Sequence, residues 1–118
     1  MKREALNHPK MLDLACRLGI PKEYARGIIL TLLDWCADMA PQGNIGKWPD
    51  KVIAMACGWQ GDATEFVEAL AGSGWLDRCP KHRYVVHDLE DHAERWWRAK
   101  LKKLGLSFVK AHKDSITD

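Results

Sequence analysis

No stretch of this chain is apolar for long enough to cross a bilayer. The longest run, Ile28-Ile29-Leu30-Thr31-Leu32-Leu33, falls far short of the roughly twenty residues a spanning helix needs. Met1-Lys2-Arg3-Glu4 leads into no signal-peptide core, so the expected location is the cytoplasm, with no membrane partner. Internal repeats, low-complexity tracts and Pro/Gly/Ser linkers are also missing, which leaves nothing to divide the 118 residues. With 47% hydrophobic content they can furnish a single core without disulfides or a structural metal. Catalytic machinery is equally sparse. His87-Asp88 and Asp91-His92 look like acid/base pairs, but no Ser or Cys nucleophile, phosphate-cradling glycine loop or metal signature accompanies them. A protein that is not an enzyme and carries no cofactor is expected.

Cysteine is present at only four positions. Cys16, Cys36, Cys57 and Cys79 are spaced by roughly twenty residues, and the first three fall in helical patterns where a thiol behaves as a small apolar filler. Reduced core cysteines are expected. A zinc site would have to combine Cys79 with His82, His87 and His92, whose spacings match no compact zinc knuckle. The net charge of +2 says little, but its distribution is uneven. Arg95, Arg98, Lys100, Lys102, Lys103, Lys110 and Lys113 follow one another with no acidic residue between them, whereas Lys51 to Asp77 is mainly acidic. A polyanion would meet the C-terminal part first.

Pattern and punctuation predict about five helices and a hairpin. Asn7-His8-Pro9 can cap and start the first helix, in which Met11, Leu12, Ala15, Cys16 and Leu18 recur at helical spacing before Gly19 ends it. Pro21 opens a longer, central helix carrying Tyr24, Ile28, Leu32, Trp35, Cys36 and Met39, with Ile29 and Leu33 adding a second buried side. Ile45, in the loop after Pro41, could add a very short strand to the later hairpin. A helix near 49–57, the turn Gly58-Trp59-Gln60-Gly61 and a helix at 62–72 with the stripe Ala63, Phe66, Val67, Leu70 and Ala71 have helix-turn-helix spacing. Two β-like runs follow, 75–79 and 83–88, with Pro80-Lys81-His82 as the tip. A last helix from about Leu89 to Gly105 aligns Ala93, Trp97, Leu101 and Leu104. The fold class is therefore mostly α with a small β-hairpin (α+β), a winged helix-turn-helix. Residues 1–7 form an N-terminal arm, 8–105 the domain including its basic last helix, and 106–118 a polar, loosely ordered tail.

Several short stretches carry a resemblance: His8-Pro9-Lys10-Met11, Leu18-Gly19-Ile20-Pro21, Gly58-Trp59-Gln60-Gly61-Asp62, Gly74-Trp75-Leu76-Asp77 and Val86-His87-Asp88-Leu89-Glu90-Asp91-His92. Together, over roughly residues 8 to 104, the chain resembles the winged-helix N-terminal domains of phage replisome-organiser and primosomal replication-initiation proteins. The resemblance implies a DNA-handling or assembly module working with replication or gene-control machinery, and no catalytic residues. Leu89 stands where that pattern usually has tryptophan. Such proteins commonly carry a further C-terminal domain, so helicase recruitment is not transferred to this chain.

The candidate contacts are cationic. A winged helix usually lays its second helix-turn-helix helix in the major groove, but here the outward positions are Asp62, Glu65, Glu68 and Ala69, which would repel phosphates and offer no base-reading donor. Arg78, Lys81, His82 and Arg83 gather at the hairpin tip instead, where a wing reaches a phosphate or minor groove. Arg95, Arg98 and Lys102, joined by Lys103, line the last helix opposite Ala93, Trp97 and Leu101. DNA backbone binding requires these cations to converge into one ridge free of covering carboxylates. The alternative is a protein-interaction winged helix, a homo-oligomer or a replication-partner contact, using the acidic helix and tryptophan-bearing surfaces. Among the six tryptophans, adjacent Trp96 and Trp97 cannot point the same way on a helix, so one of them covers a groove, meets another copy or stacks on unpaired bases.

Overall fold

A histidine, rather than the expected asparagine, starts the first helix. The computed structural model describes residues 8–111; Asn7, the arm 1–7 and the tail 112–118 with Lys113 lie outside the described residues. In α1 (Pro9–Leu18) the His8 imidazole accepts from the Lys10 backbone N–H at 3.1 Å, and Gly19 closes the helix in the left-handed region at φ 67°. The buried face is Met11, Leu14 and Ala15. Leu12 and Cys16 lie about 100° round the helix from that stripe and are exposed, correcting the expectation that both are core.

Pro21 caps α2 (Lys22–Met39), whose seven buried residues include Ile28 and Leu32 together with Ile29 and Leu33, the two-sided burial expected of a central helix. Tyr24 and Met39, expected inside, are exposed, and Ala25 and Ala37 take the inner positions. The small residues let neighbouring elements approach more closely than the aromatic and thioether side chains would. Between α2 and the next helix Ile45 does not form a strand. Residues Ile45–Lys47 make a single 3₁₀ turn, because Gly46 is pressed against the hairpin. A Cβ there would lie 2.2 Å from the His82 carbonyl oxygen and 2.3 Å from the Tyr84 nitrogen. Gly43 adds to the hairpin's pairing from this loop, accepting from the Val86 N–H at 3.0 Å.

The helices α3 (Asp50–Ala56) and α4 (Ala63–Gly72) pack against each other across the expected turn. Asp62 caps α4 by accepting from the Glu65 N–H at 2.8 Å, and Phe66, Val67, Ala69 and Leu70 face inward. Ala69 is thus core, not outward as expected. Strands β1 (Leu76–Cys79) and β2 (Arg83–Val86) form a two-stranded antiparallel hairpin in the register Leu76 to Val86 and Cys79 to Arg83. Leu76 and Val86 are buried on one face and Val85 and Cys79 on the other, so the hairpin is covered on both sides.

The last helix is broken where no proline or glycine marks a break. The single turn α5 (Leu89–His92) ends at Ala93, which is extended, and α6 (Arg95–Leu104) starts after Glu94. Leu89 packs on Gly43, while the Trp97 indole N–H donates to the Pro41 carbonyl at 2.8 Å. Burying both requires two helix directions, and the chain turns between them. Beyond Gly105 the stretch read as the start of a loose tail is clasped. The Gln42 amide donates to the Ser107 carbonyl at 2.9 Å, the Val109 N–H donates to the Gln42 carbonyl at 2.8 Å, and Phe108 packs on Trp97. No helix among the described residues is long and apolar enough to cross a membrane.

The cysteines divide by environment. Burial pushes the Cys36 and Cys57 thiols up to about 12, and Cys36 donates to the Ala40 carbonyl at 3.1 Å. Cys79 is also buried, whereas Cys16 is exposed. A disulfide-exchange reagent at pH 8 should therefore titrate one thiol rapidly and the rest only on adding denaturant. Two or more fast equivalents in native protein would contradict this packing.

Candidate nucleic-acid interface

Around the hairpin tip the fold collects more positive charge than the tip itself carries. Lys47, Arg78, Lys81, His82 and Arg83 line one open depression of ≈ 930 Å³ together with Asn44 and Gly46. Lys47 escaped the sequence reading because it belongs to the 3₁₀ turn, more than thirty residues away along the chain.

The two arginines of this set are already engaged. Arg83 donates from Nε to the Gly46 carbonyl at 3.0 Å, from Nη2 to the Trp48 carbonyl at 2.6 Å and from Nη1 to Asp50 at 2.7 Å. Its backbone sits at φ 69°, a conformation that costs a β-carbon residue roughly 1–2 kcal/mol. Three charge-assisted hydrogen bonds outweigh that strain. Arg83 therefore ties the hairpin to the 3₁₀ turn and α3. Arg78 pairs with Glu68 at 2.5 Å, and the same carboxylate accepts from the Tyr84 hydroxyl at 3.3 Å. Both partners are about half exposed, so the pair is worth under about 1 kcal/mol and can be exchanged. Lys81 projects into solvent and makes no ion pair among the described residues; His82 is half-buried.

The other expected surface lies on α6. Arg95, Lys102 and Lys103 are exposed and meet no carboxylate among the described residues. Arg98 differs, donating to the Glu90 carbonyl and lying 5.9 Å above the Phe108 ring. Lys100 turns inward and donates to the Ala37 carbonyl at 3.0 Å, supplying the positive charge that the last turn of α2 lacks. The expected carboxylate-free charge fails at the hairpin, where Glu68 covers Arg78 and Asp50 covers Arg83. Residues 87–89 leave the sheet at the end opposite the tip, so the hairpin cations and α6 are attached to opposite ends of β2. Charge uncovered by carboxylates, among the described residues, is found at Arg95, Lys102 and Lys103 on α6 and not at the hairpin arginines.

The acidic helix and the histidine pairs also have positions. Exposed on α4 are Thr64, Glu65 and Glu68, with no Arg, Lys, Asn or Gln to read bases. His87 lies between two carboxylates, 2.9 Å from Asp77 through Nδ1 and 3.1 Å from Asp88 through Nε2, bracing the base of the hairpin. His92 stands beside Trp75, which also carries the Lys10 ammonium 4.4 Å above its ring. Burial, aided by the Lys10 charge, holds His92 below its ordinary value of 6.5. The unfolded chain then binds the proton more readily, so this contribution to stability is complete above pH 6.5 and is lost as pH falls through the lower folded-state value. His92→Gln should narrow the drop in urea midpoint between pH 7.5 and pH 5; an identical drop in both proteins would show that His92 is not responsible.

Comparison with protein-family models, curated proteins and solved structures gives no match to this chain.

Proposed function

We propose that this is a nucleic-acid-binding module of winged helix-turn-helix type that grips the phosphodiester backbone through α6, with Lys81 and Lys47 at the hairpin depression as a secondary contact. Arg78 and Arg83 drop out of the primary surface because their guanidinium groups serve Glu68, Asp50 and two backbone carbonyls. The observation that carries the reading is the uncovered charge of Arg95, Lys102 and Lys103 on one helix. Phosphate contacts from such side chains position a strand without reading its sequence, so binding should be weakly sequence-selective and strongly salt-dependent. The order α3, turn, α4, β1, β2 supports the winged-helix assignment. The resemblance to phage replication-initiation domains implies replication initiation or gene control as the setting.

A second reading, a protein-interaction module that assembles with itself or a replication partner, is favoured by Val52 and Met55. They stand three residues apart on α3 at 39% and 78% exposure. Titrating labelled DNA at two salt concentrations, alongside a sizing run, separates the readings. Binding that weakens steeply with salt supports the first. Oligomers that persist in salt without any DNA affinity support the second and reject the first.

A further inference from the structure

Trp96 is a large aromatic left 53% exposed, yet it is held in place from two sides. Its indole N–H donates to the Glu94 carboxylate at 3.0 Å, and its ring stacks on Trp97 with centroids 6.0 Å apart and an interplanar angle of 27°. Trp97 is itself 4% exposed and anchored through the Pro41 carbonyl. The ring is thus presented to solvent with little freedom left to lose on binding.

Its surroundings on α6 are specific. Exposed Ala99 lies at the centre of the outer face, and the four positions that border it on a helix surface, three and four residues to either side, are Arg95, Trp96, Lys102 and Lys103. The small Ala99 side chain is thus bordered by three cationic positions and one aromatic one, and the charge is complementary to phosphate. A duplex presents phosphates to such a surface but keeps its base faces stacked. Only an unpaired strand can offer a base to the ring while its backbone meets the cations.

We infer that α6 binds single-stranded nucleic acid, one base stacking on Trp96 beside Ala99 while neighbouring phosphates engage Arg95, Lys102 and Lys103. This rests on the nucleic-acid reading above and adds the preferred state of the ligand. Because stacking tolerates any base, the preference is for strandedness rather than sequence.

The test compares wild type, Trp96→Ala and Trp96→Phe, using labelled oligo(dT), oligo(rU) and a DNA duplex of equal length and reading fluorescence anisotropy. Wild type should bind the single strands more tightly than the duplex. Trp96→Ala should weaken single-strand binding about tenfold, Trp96→Phe should retain most of it, and duplex affinity should change less than about twofold. The oligo(dT) and oligo(rU) arms show which sugar the site accepts. Equal weakening of single strand and duplex, or no weakening of either, overturns the stacking proposal while leaving backbone binding intact. A wild type that binds no nucleic acid overturns both. A Trp96→Ala protein whose only change is a smaller oligomer assigns the ring to a contact between copies, and also overturns the proposal.

Discussion

Gly46→Ala should destabilise this protein by about 3 kcal/mol or more, a loss of order 10–20 °C in melting temperature for a domain of this size. The added methyl carbon would lie 2.2 Å from the His82 carbonyl oxygen and 2.3 Å from the Tyr84 nitrogen. Both are backbone atoms, so no rotamer change relieves the overlap, and the 3₁₀ turn must move off the hairpin. Moving it also pulls the Gly46 and Trp48 carbonyls away from the Arg83 guanidinium, leaving a strained residue without its compensation. Gly27→Ala is the internal comparison. Gly27 lies within α2 with nothing within 4 Å of the new carbon, so alanine there should stabilise by roughly 0.5–1 kcal/mol through reduced chain entropy. Thermal melts of the two variants should move in opposite directions; a Gly46→Ala melt within 2–3 °C of wild type, on the order of 0.5 kcal/mol, would show that the turn slides freely.

Replacing Arg95, Lys102 and Lys103 together by alanine should leave the fold unchanged and remove most of the nucleic-acid affinity. All three are exposed, and alanine is the best helix former, so the change in stability should stay within about 0.5 kcal/mol per site. If each cation neutralises one duplex phosphate, the slope of log K against log salt should flatten by about 2.7, which is 0.9 for each lost contact. Lys81→Ala should flatten it by no more than about one such contact. A triple variant with the wild-type slope would remove α6 from the interface, and a larger effect from Lys81 would move the main contact to the hairpin depression.

How much of this was legible in the sequence depends on the range of the interaction involved. Gly19, Pro21 and Asp62 end or cap helices through neighbours within four residues, and the Phe66, Val67 and Leu70 stripe follows from helical period alone. The hairpin boundaries could be read for the same reason. The fates of Arg78 and Arg83 could not. Their carboxylate partners Glu68 and Asp50 lie 10 and 33 residues away and meet them only through the packing of β1 and β2 beside α4 and α3. Charge clusters read along a chain count cations, whereas an interface needs those that packing has left unpaired. The break at Ala93–Glu94 was hidden similarly, since nothing local forbids a continuous helix there. It is imposed by the separate sites that receive Leu89 and Trp97. Cys16 and Leu12 show a subtler failure, in which two apolar residues fit the helical period but sit one position away from the inward stripe.

The clasp formed by Gln42, Ser107, Phe108 and Val109 bears on where a neighbouring domain can be joined. Gly105, with its left-handed backbone, is the obvious place to cut, yet severing the chain there would discard the residues that shield the Trp97 indole. A fusion junction placed beyond Val109 keeps every contact of the clasp.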